Sequence, residues 1–156
     1  MLLQLGDLLK SATGTKKIHE VFSDEIILDE FDIVSSSGLI CLTKINMGVW
    51  ATTKILLNIT STCDRCLEKY NQVINIESDD IFYHFDYLGK NPELYDRIDS
   101  PEIFYIKDNM IELTESFRQN ILVNMPIKLL CNLDCQGIVN KNNRISNTKL
   151  IDIENR

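Results

Sequence analysis

Four cysteines stand in two close pairs, Cys63 with Cys66 in T-C-D-R-C-L and Cys131 with Cys135 in L-L-C-N-L-D-C-Q-G. Sulfurs two or three residues apart can face one centre from a tight turn. Two such pairs make a four-thiolate tetrahedron, the geometry zinc takes in closed structural sites. Such a centre would tie the middle of the chain to its C-terminal region. The four sulfurs are then expected within about 4–5 Å of one another, as Zn–S bonds of ~2.3 Å require.

The same spacing serves other chemistry. A CxxC in a βαβ setting can be a redox motif, and four cysteines in a secreted chain can be two disulfides. The start, M-L-L-Q-L-G-D-L-L-K, has an acid inside its apolar run and lacks a signal peptide's basic start. No parallel βαβ pattern surrounds Cys63. Redox chemistry stays the weaker alternative, and a stronger one is that some of these cysteines are buried small hydrophobes. Cys41, in the apolar run L-I-C-L, reads as core.

The positioning elements follow from periodicity. Leu2 to Leu9 suits a short helix or an extended clamp. Lys16 to Phe22 alternates, with Ile18, Glu20 and Phe22 on one face and His19 with Val21 on the other. Leu39 to Ile45 and Trp50 to Thr62 form a hairpin around Asn46-Met47-Gly48. Ile55, Leu57 and Ile59 share one face of the second strand. That strand ends at Cys63, and the chain returns as Tyr70 to Ile76, so the first pair caps a hairpin. Asp79 to Phe85 either continues that strand or leads into a loop. Asp86 to Glu102 is charged and without period, and Ile103 to Ile106 reads as a short strand. A helix is predicted from about Ile111 to Val123. Leu113, Phe117 and Ile121 form its buried stripe, to be packed on the Leu39–Thr62 hairpin. Asn109 is its N-cap candidate, Glu112 and Glu115 suit its first turns, and Asn124 and Pro126 end it.

A chain of 156 residues suits one domain with a real core, so a metal would assist folding rather than replace a core. No apolar run approaches the ~20 residues of a membrane helix. The net charge of −7 argues against indiscriminate nucleic-acid binding. It is unevenly spread: residues 77–102 carry eight acids against Lys90 and Arg97, whereas the chain from Arg118 onward has six bases and three acids. The acidic run reads as a solvated loop or a protein-docking surface. Arg65, Lys69 and Lys128 lie beside the cysteine pairs. With Lys141 and Arg144 they are candidates for a small basic patch contacting RNA phosphates. Compensating a cluster of thiolates is the equal alternative for the first three.

No GxSxG, HExxH, P-loop or Gly-rich fingerprint occurs. The two histidines, His19 and His84, are far in sequence from any cysteine. A carboxylate pair for a metal-dependent hydrolase could lie in the acidic run, but its spacing matches no motif.

The C-x-R-C-L box, the helix leading to I-L-x-x-x-P and the L-C-x-x-x-C-x-G box, in this order and after L-x-L-G-D-L-L, resemble the YceD family. Its members are described as large ribosomal RNA subunit accumulation proteins of bacteria and plastids. The resemblance covers roughly residues 1–138. It implies a role in processing or accumulating large-subunit ribosomal RNA, with that RNA or a pre-ribosomal particle as partner, and no known catalytic activity. Many members add a further pair of the form G-L-C-P-x-C-G. Here the chain reads G-I-V-N-K-N-N from Gly137 to Asn143, so a site relying on that pair cannot be carried over.

The expectation is therefore one α+β domain over residues 1–138, mainly antiparallel sheet with one C-terminal helix, followed by a polar, poorly ordered tail over 139–156. It is non-enzymatic and acts in ribosome biogenesis, with structural zinc on Cys63, Cys66, Cys131 and Cys135. The alternative is a zinc-stapled module docking an assembly partner through residues 77–102. Abundant Ile and Asn with only 6 Gly and 3 Pro fit an AT-rich genome, hence a plastid stroma or a bacterial cytoplasm.

Overall fold

Alternating side chains dominate the middle of the chain, and they build one long sheet. The computed structural model describes residues 1–22, 25–97 and 103–138. The predicted tail, and with it Lys141 and Arg144, lies outside the described residues, as do Asp99 and Glu102 of the acidic run.

Strands β2 (Lys16–Val21), β3 (Asp32–Ile45), β4 (Gly48–Thr62) and β5 (Lys69–Tyr83) form an antiparallel meander. The short β6 (Phe104–Tyr105) adds to β5 in parallel. A separate two-stranded ribbon joins β1 (Leu2–Gln4) to β7 (Met110–Glu112). After β1 comes a 3-10 turn, Gly6–Lys10, so the N-terminal segment is both extended and helical in succession. Two short helices follow β5, α1 (Phe85–Gly89) and α2 (Pro92–Tyr95), before α3 (Thr114–Asn124).

Alternation fixes which face is covered. Val49, Ala51, Ile55, Leu57 and Ile59 of β4 point to the core with Ile74 and Ile76 of β5. Leu3, Leu5 and Leu8 from the N-terminal segment and Ile111, Leu113, Phe117 and Ile121 close the same cluster. On the other face Ile18, Leu39, Leu56 and Val73 are exposed. Cys41 belongs to that open face, half-buried, because its neighbours Ile40 and Leu42 take the core positions. The expectation of a core cysteine there is corrected by the strand's period of two.

Five further expectations change. The helix starts at Thr114, not Ile111, because residues 110–112 are spent pairing with β1. Asn109 is consequently no helix cap. It and Asp108 both have positive φ (60° and 52°) and form a turn closed by Met110 N–H donating to the Lys107 carbonyl at 2.8 Å. Glu112 lies on β7 rather than in the helix, whereas Glu115 does sit in the first turn. The helix packs chiefly on β5, the strand after the predicted hairpin. The buried Ser116 hydroxyl anchors it there, donating to Asp80 Oδ2 at 2.7 Å. The acidic run is not one loop: Glu77, Asp79 and Asp80 are part of β5, and Asp86 and Glu93 sit on α1 and α2.

The backbones of β3 and β4 come very close at Gly38. A Cβ built there would lie 2.1 Å from the Lys54 carbonyl oxygen, which is backbone and cannot swing away. Gly38→Ala is expected to cost about 1–3 kcal/mol, the range for overpacking. A urea midpoint unchanged from the parent chain would refute the close approach.

Candidate metal centre

The first cysteine pair sits where β4 turns into β5, with Thr62 and Lys69 as the last paired residues. The turn is tied by Cys63 N–H to the Glu68 carbonyl and by Leu67 N–H to the Cys63 carbonyl, both 2.9 Å. Leu67 takes the left-handed conformation, φ 62°, which lets the chain reverse within five residues of Cys63. The second pair follows α3. The helix stops at Asn124, Met125 is extended, and Pro126 cannot continue it. Within the second turn Cys135 N–H donates to the Asn132 carbonyl at 3.1 Å.

Two contacts bring these knuckles together. Asp64 N–H donates to the Leu129 carbonyl at 2.7 Å, and Leu129 N–H returns a bond to Asp64 Oδ2, also 2.7 Å. Arg65 Nη1 donates to the carbonyls of Leu133 and Cys135, both at 3.1 Å. The sequence reading did not single out Asp64. Its side chain caps a backbone amide on the other knuckle, and only its place between the paired cysteines could have hinted at that.

All four sulfurs lie within 4.8 Å of one another. Cys63 Sγ is 3.8 Å from Cys135 Sγ, and Cys66 Sγ is 3.7 Å from Cys131 Sγ. A tetrahedron with ~2.3 Å metal–sulfur bonds has edges of about 3.8 Å. The set can hold a metal ion, and its size and all-sulfur donors suit a soft or borderline cation.

Electrostatics within the cluster are uneven. Backbone N–H groups of Cys131 and Cys66 donate to the buried Cys63 sulfur and lower its pKa to about 6, against the effect of burial. Cys131 is pushed up to about 12 by hydrogen bonding to the sulfurs of Cys66, Cys135 and Cys63. The N–H of Glu68 draws Cys66 down, but burial and the Cys63 sulfur outweigh it and that thiol stands above its ordinary value. Negative charge therefore settles first on the most deeply placed sulfur. Its field reaches Tyr70, whose phenol is raised by burial and then by the charges of Cys63 and Asp64.

The other candidates fall as follows. Lys69 and Lys128 are exposed beside the knuckles, and Arg65 is committed through Nη1 to the second one. The histidines are engaged elsewhere: His19 Nε2 meets Glu25 Oε2 at 2.9 Å, and Lys44 Nζ donates to His84 Nε2 at 2.6 Å. Among the described residues no helix is long and apolar enough to cross a membrane.

Fold and centre together define a mainly antiparallel α+β domain in which a cysteine cluster brings a hairpin tip together with the segment after α3. Over residues 51–150 the chain matches the model of a family described as large ribosomal RNA subunit accumulation protein YceD, and it belongs to that family. The match begins inside β4 and takes in both knuckles and α3. No curated protein and no solved structure matches the chain significantly.

Proposed function

We propose that this chain is a non-enzymatic factor for the processing or accumulation of large-subunit ribosomal RNA, built around a structural zinc. Family membership supports the ribosomal role. The convergence of four cysteine sulfurs is the observation that carries the metal, and it argues for structure rather than catalysis. Four protein thiolates complete a tetrahedron and leave no position for an activated water. Cys63, Cys66, Cys131 and Cys135 would hold the ion, and its chemistry there is to join the knuckles.

Zinc on four thiolates keeps a net charge of −2, which nearby cations offset. Arg65 lies across the second knuckle and serves that purpose. Lys69 and Lys128 remain exposed at the same end of the molecule and are the proposed phosphate contacts, with Lys141 and Arg144 as further candidates in the tail. The compartment that suits this role is a plastid stroma or a bacterial cytoplasm.

A second reading makes the chain a stapled docking module for an assembly partner. It is favoured by the exposed aromatic pair Phe85 and Tyr95, 6.1 Å apart edge to face, standing among Asp86, Glu93 and Asp96. A salt titration of binding to large-subunit RNA separates the two readings. Lys69→Ala with Lys128→Ala is expected to flatten the log–log salt slope by roughly two units, about one per lost phosphate contact. RNA binding without salt dependence, or an unchanged slope in the double variant, removes these lysines from the interface. Absence of any RNA binding, with a protein captured instead, favours the docking module.

A further inference from the structure

We infer that peroxide oxidation joins the two knuckles through crossed disulfides, Cys66 to Cys131 and Cys63 to Cys135, rather than closing each pair on itself. This concerns the same cluster as the zinc reading and rests on its convergence, but it needs no metal to be bound.

Two observations carry it. The crossed sulfurs are already 3.7 and 3.8 Å apart. A disulfide of ~2.05 Å needs the sulfurs of each pair to approach by about 1.7 Å, within reach of side-chain rotation. Next, each turn is tied internally, by Leu67 N–H to the Cys63 carbonyl and by Cys135 N–H to the Asn132 carbonyl. The knuckles are also held together without any ion, through the reciprocal Asp64 and Leu129 bonds and the Arg65 guanidinium. Exposure orders the steps within each crossed pair rather than selecting the pairing, since one residue of each is more open than its partner. Cys131 is exposed and Cys66 half-buried; Cys135 is half-buried and Cys63 buried.

The chemistry runs in two balanced steps. The exposed Cys131 sulfur, once it has given its proton to water, attacks one oxygen of hydrogen peroxide; the O–O bond breaks, the departing hydroxide takes up a proton to leave as water, and a sulfenic acid forms. The Cys66 sulfur then attacks the Cys131 sulfur. An S–S bond forms, the S–O bond breaks, and the hydroxyl departs as water with the Cys66 proton. Cys135 and Cys63 repeat the sequence with a second peroxide. Two sulfurs are oxidised for each peroxide reduced. The product stays stapled when no ion can be held, so the hairpin tip remains joined to the segment after α3.

The test uses the full chain, either zinc-loaded or stripped by a chelator, with metal content measured beforehand. Each sample is treated with hydrogen peroxide, alkylated and digested without reduction, and linked peptides are mapped by mass spectrometry. Crossed peptides should dominate in the stripped sample, with Cys41 alkylated. Links within the pairs, links between molecules or oxidation beyond the sulfenic acid would each overturn the inference. In Cys66→Ser a dione probe for sulfenic acids should label Cys131, which the parent chain leaves unlabelled. Should that variant fail to fold, the parent chain's map decides alone. Absence of metal with crossed disulfides overturns only the zinc reading. Stoichiometric zinc with links inside the pairs overturns only this one.

Discussion

Replacing Cys63 by alanine is expected to abolish stoichiometric zinc retention and to lower stability by about 4 kcal/mol when free zinc stands about a thousandfold above its Kd. Cys63 is fully buried and its sulfur receives backbone N–H groups of both knuckles, so its loss removes a ligand from the inner side of the cluster. The loss is of a bound ligand, and the fold retains its own apolar core. Metal analysis and urea unfolding check it together. A variant that keeps one zinc per chain, or loses zinc with no change in midpoint, would sink the structural role. Cys41→Ala, outside the cluster, should retain the metal. The pH dependence has a definite sign. Ligands must be deprotonated, so zinc's contribution weakens as pH falls. Cys131, at about 12, and the raised Cys66 give up their protons on binding; Cys63 is already ionised at neutral pH and is protonated as pH falls through about 6.

Phe117→Ala should destabilise the chain by about 3–5 kcal/mol, the transfer loss plus the cavity left behind. Its ring is fully buried in one core cluster with Leu113, just before α3, and Ile121, one turn further along the helix. The expected signature differs from that of Cys63. The urea midpoint falls while the slope holds, and metal content stays at one ion in the folded protein. A loss under ~1 kcal/mol would mean that α3 is not docked as described.

Both sites were legible in the sequence for the same reason: they rest on local patterns. Leu113, Phe117 and Ile121 announce a helix face by spacing alone, and Ile55, Leu57 and Ile59 a strand face. The cysteine types and spacing announced a shared centre, although spacing could not say that the pairs would meet. What escaped was set by distant partners. Residues 110–112 carry no strand signal of their own and become β7 only because Leu2–Gln4 lies alongside. That pairing moves the helix start and strips Asn109 of the role its type suggested. The turn it does make had a cue, since Asp and Asn tolerate the left-handed region. Charge at Glu77, Asp79 and Asp80 blurs strand periodicity, so the sequence left a continued strand and a loop both open from Asp79; pairing with β4 throughout makes it strand. The tie between Asp64 and Leu129 spans the whole acidic middle and leaves no local trace.

The reach of the staple along the chain has a consequence for synthesis. Strands β2 to β5 are neighbours in sequence and in space, so the meander can assemble as it leaves the ribosome. Cys63 and Cys66 appear with it. Their partners come some seventy residues later, after α3. At about 5–20 residues per second, the first pair waits several seconds as two free thiols at a finished hairpin tip. During that interval the nascent protein is open to wrong metals and stray oxidants. Only arrival of the second knuckle closes that window.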